Sequence, residues 1–353
     1  MPAAPKLTGK IQTVLGSIEA TSLGITLSHE HLLIDRSAYF VSPEEASKRY
    51  YIDKPLTMDI YGKHGSLAGY SNDILKLLDT DDAIREVMHY KHAGGHSVVD
   101  TTNIGIARDP LALARISRAT GLNIVMGASY YVPVSHPPGT ERKSEDQFAE
   151  EIIRDITVGV GDTGVKSGVI GEIGCLYPLS DTEKRIIRGS VTASRITGCP
   201  ITIHPGFDER SPAEILNLIT EAGGDPQNVV MGHMSSRIKD LTILKEFAQM
   251  GCYIEDDLFA IEDSSIEYLK DTNISPSDTH RIKRIEFLTA NGHLNQLLIS
   301  HDVAMPWQYR ARGGKGFGHI LENIVPRMRK LGFTKDQIQT ILVDNPARAF
   351  SFK

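Results

Sequence analysis

Ile25-Thr26-Leu27-Ser28-His29-Glu30-His31 is a short apolar run that ends in a His-x-His pair. Successive side chains of a strand point to opposite faces, so in a strand over 25–31 both imidazoles project to the same side. Neutral imidazole is a frequent ligand of transition metals, and two at a strand end make half of a four-coordinate site. Alone, such a pair is more often a packed or surface histidine pair than a metal site, so its meaning depends on the residues at the other strand ends of the chain.

Runs of the same kind recur at 96–101, 123–129, 168–173, 200–204, 228–233, 252–257 and 296–302, giving eight candidate strands. Between them lie stretches with helical spacing at 81–93, 109–120, 145–156, 181–197, 211–222, 239–250 and 278–291. Several begin at Asp or Ser and end at Gly, as at Gly121, Gly198 and Gly251, which are N-cap and C-cap signals. Repeated β-then-α alternation implies a parallel sheet, and eight units imply a closed (β/α)8 TIM barrel. A hairpin over 11–18 should precede it, a last helix over 318–331 should follow strand eight, and residues 36–80 should form a long loop with helices over the barrel mouth. An open doubly wound sheet would carry a Gly-rich phosphate loop after its first strand, and neither G-x-G-x-x-G nor a Walker loop occurs there. The segment Gly313-Gly314-Lys315-Gly316-Phe317-Gly318 lacks phosphate-loop spacing and reads as a flexible loop. No linker or repeat divides the chain, so one domain over 1–353 is expected.

The chain has 353 residues, 41% hydrophobic and 23% charged, enough apolar content for a large core. A net charge of −6 disfavours nucleic acid as a partner. The segment Met1-Pro2-Ala3-Ala4-Pro5-Lys6 lacks the pattern of a signal peptide, and no run approaches a membrane span. Cys175, Cys199 and Cys252 are widely spaced, which disfavours a disulfide framework or a thiolate zinc site and fits a reducing compartment. A soluble, cytoplasmic protein without membrane or nucleic-acid partners is therefore expected, with a homodimer left open.

On the candidate strands, six metal-capable residues fall at the C-terminal ends: His29 and His31 on the first, Glu172 on the fourth, His204 on the fifth, His233 on the sixth and Asp302 on the eighth. In a (β/α) barrel that face carries the active site. Six nitrogen and oxygen ligands exceed one tetrahedral zinc but suit two ions sharing a carboxylate. Glu172 lies in Gly171-Glu172-Ile173-Gly174, where the glycines permit close approach and a buried carboxylate needs a partner. His301 should point away from Asp302 by alternation, and His64 and His319 show no carboxylate partner in the sequence.

Ser28-His29-Glu30-His31, Gly171-Glu172-Ile173-Gly174-Cys175, Ile203-His204-Pro205-Gly206, Gly251-Cys252-Tyr253-Ile254-Glu255 and Ser300-His301-Asp302 together resemble the phosphotriesterase family of the amidohydrolase superfamily. The likeness runs from Gly9 to Pro346. It implies two divalent metals, with His29, His31 and Asp302 holding one, His204 and His233 the other, and Glu172 bridging them. Bacterial members bridge with a carboxylated lysine, whereas this chain has Glu172, as one animal branch does. Met234-Ser235-Ser236 follows His233 where relatives often carry Asp, which removes an expected supporting carboxylate.

Two such ions lower the pKa of a shared water and polarise a scissile bond, with Asp302 the candidate general base. No Gly-x-Ser-x-Gly elbow suggests a serine nucleophile. The resemblance implies hydrolysis of the amide bond of N-acetyltaurine to taurine and acetate, extending to other N-acetyl amino acids. Zinc is the expected metal, although manganese or cobalt suits the same donors. A sulfonate needs a cation, for which Arg237, Arg310, Arg312 and Lys315 are candidates, and Tyr131 is placed to shape the pocket. The alternatives are a lactonase or phosphotriesterase on the same centre, or a barrel whose metals are only structural.

Overall fold

A computed structural model describes residues 7–61, 63, 67, 69–262 and 276–353; Met1 to Lys6 and His64 lie outside that set. Eight strands, β1 (Thr26–Glu30), β2 (Ser97–Asp100), β3 (Asn123–Ala128), β4 (Val169–Gly174), β5 (Ile201–His204), β6 (Val229–Met231), β7 (Tyr253–Asp256) and β8 (Leu297–Ile299), form one sheet in sequence order. Every neighbouring pair is parallel. Between β1 and β8 the seam is closed by side chains and backbone together: Ser28 Oγ donates to Ile299 O at 3.3 Å, His29 N to Ser300 Oγ at 3.1 Å, Asp302 N to His29 O at 3.2 Å and His31 N to Val303 O at 3.3 Å.

Glu30 staples this seam. Its carboxylate accepts from Ser300 Oγ (2.8 Å), His301 N (3.0 Å) and Val303 N (2.9 Å), and lies 2.8 Å from His301 Nδ1. Alternation explains the arrangement: Glu30 and His301 face each other outside the barrel, while His29, His31 and Asp302 turn inward. As expected from the sequence, His301 takes no part in the inner cluster.

Helices α1 (Thr80–His92), α2 (Pro110–Thr120), α3 (Glu145–Thr157), α4 (Asp181–Thr197), α5 (Ser211–Glu221), α6 (Leu241–Ala248) and α7 (Asp278–Ala290) alternate with the strands. Their starts follow the capping signals: Ser144 and Ser180 form capping boxes with Gln147 and Glu183, and Gly121 and Gly198 end α2 and α4 in the left-handed conformation. The fold is thus the (β/α)8 barrel read from the alternation. The hairpin is present as Lys10–Thr13 paired with Gly16–Glu19. Its Ile11 joins Val99, Val125, Val169, Val230, Tyr253 and Leu298, from β2, β3, β4, β6, β7 and β8, together with Leu23, Ala349 and Phe350, in a cluster to which no residue of α1 to α7 contributes.

Three expectations need correction. The 36–80 loop is not free of strands, since Ile34–Asp35 and Lys76–Leu77 pair antiparallel and pinch its base. Strands six and eight stop short of His233 and Asp302, because both residues have positive φ (57° and 51°), which a strand cannot accommodate. The Gly313–Gly318 segment forms a tight turn: Gly314 N and Gly316 N donate to Tyr309 O and Gln308 O at 2.8 Å, leaving those amides turned inward. Among the described residues no helix is long and apolar enough to cross a membrane.

Candidate metal centre

Backbone irregularities aim the inner side chains. Register slips by one residue between β1 and β2 at Ser28-His29, and again where β4 passes Gly171-Glu172. Such bulges re-aim side chains beside functional sites. Gly171 makes the second possible: its φ is +126°, and a Cβ there would lie 2.1 Å from Thr202 O on β5. Asn103 Nδ2 donates to Glu172 O from the other side.

The Glu172 carboxylate consequently sits among four imidazoles. Oε1 lies 3.2 Å from His31 Nε2, while Oε2 lies 3.2 Å from His29 Nε2, 3.1 Å from His204 Nδ1 and 3.2 Å from His233 Nε2. Asp302 Oδ1 is 3.3 Å from His31 Nε2 and 4.0 Å from His29 Nε2. Burial works against charge on Glu172, but His29 and His204 hold its carboxyl well below the usual carboxylate range. All six residues singled out in the sequence converge here.

The imidazoles are held from behind. Thr102 Oγ1 donates to Leu33 O at 3.0 Å, so it accepts from His31 Nδ1–H at 2.9 Å, and Nε2 is the nitrogen that would bind a cation as a lone pair and that without one takes a proton towards Asp302. Asp257 Oδ1 takes His233 Nδ1 at 2.9 Å and Oδ2 accepts from His233 N at 2.9 Å; His29 Nδ1 faces Glu255 Oε2 at 3.1 Å and Asp257 Oδ2 at 3.3 Å. Glu255 and Asp257, at the end of β7, are functional positions that the sequence alone did not reveal. Their signals were the acidic run Glu255-Asp256-Asp257 and, for Glu255, its place in the motif Gly251-Cys252-Tyr253-Ile254-Glu255. They supply the supporting carboxylate that is missing after His233.

Two features fit the centre to a cation. His29 Nε2 is buried with no aligned hydrogen-bond partner, despite its 3.2 Å approach to Glu172. His204 Nδ1 and His233 Nε2 stand 2.7 Å apart, where two lone pairs repel unless a proton or metal mediates. The ligand atoms of His29, His31 and Asp302, of Glu172, His204 and His233, and of His29, His233 and Asp257 each lie close enough together to hold an ion. Asp257 is the least suited, since both its oxygens already serve imidazole Nδ1 or backbone N–H groups. Without a cation, burial opposes charge on His31 and His233, yet Asp302 beside the first and Asp257 beside the second raise both to about 9, while burial and His233 push His204 down to about 4.

The outer candidates separate. Tyr131 is buried beside His204, with its hydroxyl 3.4 Å from Nδ1 and its ring edge-on at 5.0 Å. Arg237, on the short helix Met234–Arg237, is also buried. Arg310 is not brought to the centre: its Nη1 lies 3.1 Å from Glu322 on the half-exposed surface. Arg312 and Lys315 likewise pair with carboxylates, Asp73 at 3.6 Å and Glu262 at 3.5 Å. His319 does have a carboxylate partner, Asp278 Oδ2 at 2.8 Å, contributed by α7.

A histidine and carboxylate cluster at the C-terminal rim of a (β/α)8 barrel is the hallmark of metal-dependent hydrolase barrels. A model of the phosphotriesterase family matches residues 9–350, and the chain belongs to that family. It is 39% identical to the N-acetyltaurine hydrolase of Salmo salar over 98% of this chain and 99% of that one. The resiniferatoxin-binding protein of Rhodobacter sphaeroides has the same fold at a TM-score of 0.94, with 33% identity over 99% of this chain and 98% of its own. A lactonase of Listeria monocytogenes follows at a TM-score of 0.78, with 25% identity over 98% of this chain and 99% of its own.

Proposed function

We propose that this chain is a binuclear metal-dependent amidohydrolase that cleaves N-acetyltaurine to taurine and acetate. The observation that carries the reading is Glu172, whose two oxygens meet four inward-facing imidazole nitrogens at 3.1–3.2 Å. His29, His31 and Asp302 would hold one ion, His204 and His233 the other, and Glu172 both; zinc suits this donor set. When bound, such a pair acidifies water and polarises a carbonyl. Similarity to the Salmo salar enzyme over nearly the full length supports the substrate, and other N-acetyl amino acids fit the same chemistry.

The protein's own part is to orient and to move a proton. Asp302 is 20% exposed at its side chain, whereas Glu172, His29, His31 and His233 are at most 3% exposed, so Asp302 faces the mouth. Its backbone is pinned by Asp302 N donating to His29 O at 3.2 Å and by Gln308 Nε2 donating to Asp302 O at 3.0 Å. Oδ1 is engaged by His31, and among the described residues Oδ2 has no donor. Oδ2 is thus the atom placed to take a proton from water and return it to the departing amine. Tyr131 closes the pocket on the His204 side.

Purified protein loaded with zinc should release acetate from N-acetyltaurine in preference to aryl phosphotriesters and γ-lactones. Turnover of either rival class without amide cleavage would replace this reading with the phosphotriesterase or lactonase one. Asp257→Asn should keep the fold but weaken metal binding by roughly 10–100-fold, because His29 and His233 lose the anion that orients and polarises them. Titration against a competing chelator reads this, and unchanged affinity would remove Asp257 from the centre.

A further inference from the structure

Arg237 is a buried cation with no direct ion pair: the carboxylates of Asp257, Asp302 and Glu172 attract it only from beyond salt-bridge distance. The residue is 5% exposed. Its Nε donates to Pro205 O at 2.9 Å, and its Nη1 to Ser236 Oγ at 2.6 Å. The guanidinium lies 4.0 Å from the centroid of the Phe207 ring, which holds its plane. Among the described residues no carboxylate pairs with it, and Nη2 has no acceptor. A guanidinium has five N–H donors and stays protonated in proteins. Removing such a group from water costs several kcal/mol, which neutral acceptors offset only in part. The other candidate cations of the loops differ: Arg310, Arg312 and Lys315 are 36–42% exposed at their side chains, and each has a carboxylate within 3.6 Å.

The placement of this buried, directly unpaired cation is specific. Pro205 directly follows His204, and Ser236 and Arg237 come three and four residues after His233, so the guanidinium is clamped between the loops leaving those two imidazoles. Their nitrogens are two of the three that converge on Glu172 Oε2, beside His29 Nε2. An anionic group on Nη2 would therefore hold the rest of a short substrate over that half of the centre.

We propose that Arg237 is the anion anchor of the substrate pocket, selecting acylated amines whose amine portion ends in an oxyanion. The assignment rests on the amidohydrolase reading above. Sulfonate and carboxylate share the required chemistry, with at least two oxygens to accept from the guanidinium fork.

The test compares three acetamides of equal length on the zinc-loaded enzyme: N-acetyltaurine, N-acetyl-β-alanine and uncharged N-propylacetamide. Arg237→Met should lower the ratio of kcat/KM for each anionic substrate to that for N-propylacetamide by about 100-fold, mostly through KM. Arg237→Lys, which keeps the charge but not the fork, should fall between. A loss confined to N-acetyltaurine would mark the anchor as sulfonate-specific, and equal losses on both anions as general for oxyanions. A parallel fall on all three substrates, or no change in the ratio, would overturn the proposal. Calorimetric binding of 1-propanesulfonate, which has no amide to cleave, provides a second reading. Wild type should bind it and Arg237→Met should not, and equal binding by both would also overturn the anchor. If wild type binds the sulfonate through Arg237 yet cleaves no amide, the amidohydrolase reading fails while the anchor stands.

Discussion

Glu172→Gln is expected to reduce bound metal from two ions per chain to one or none, and to lower turnover of N-acetyltaurine by ~10³-fold or more. The substitution preserves shape and changes charge. Glu172 is a carboxylate because His29 and His204 hold it in that state against burial, and its two oxygens are shared among four imidazole nitrogens. Glutamine offers one weaker oxygen donor, and its NH₂ would point at nitrogens that need their lone pairs free. Both halves of the centre therefore lose their common negative charge, and the several kcal/mol of charge stabilisation that one ion contributes correspond to about three decades in rate. Elemental analysis and steady-state kinetics on the same preparation decide the matter. A variant with two tightly bound ions and turnover within tenfold of wild type would show that Glu172 does not bridge.

The barrel was readable because its signals are local. Each strand is a short apolar run, each helix carries a Ser or Asp at its start, and Gly121 and Gly198 take left-handed φ values of 66° and 77° where the sequence marks helix ends. The six inner residues were readable because each stands at the end of such a run. Their supports were not. Asp257 reaches His233 across 24 residues and Glu255 reaches His29 across 226, so nothing near either histidine announces its partner. Thr102, which sets the His31 tautomer, looks like an ordinary strand-end threonine.

The basic residues show the same limit from the other side. Arg237, Arg310, Arg312 and Lys315 are indistinguishable as loop cations in sequence, and only packing reveals which of them is buried without a direct ion pair. Burial is a collective property of elements distant along the chain; Pro205 and Phe207, which clamp Arg237, arrive from the loop after β5. The two-residue ladder of Ile34–Asp35 with Lys76–Leu77 is too short for any periodicity to register.

Asp302→Asn separates a ligand from a base. Burial disfavours its charge, but the hydrogen bond from His31 and the charges of His233 and His29 hold the Asp302 carboxyl well below the usual carboxylate range, so near neutral pH it carries no proton. That is the state a proton acceptor requires. Asparagine has nearly the same shape and can still offer an oxygen beside His31, but it cannot take a proton. If Asp302 Oδ2 moves the proton from water to the leaving amine, kcat should fall by ~10²–10⁴-fold and stay low when the metal concentration is raised until both sites are full. If Asp302 only helps to hold an ion, the same excess of metal should restore kcat towards wild type. The leaving group sharpens the distinction, because an acetanilide with a nitro group departs with little need for a proton. Asp302→Asn should therefore lose less on that substrate than on N-acetyltaurine. An equal loss on both would assign Asp302 to holding the ion or to activating water, and would remove it from the second half of the proton transfer.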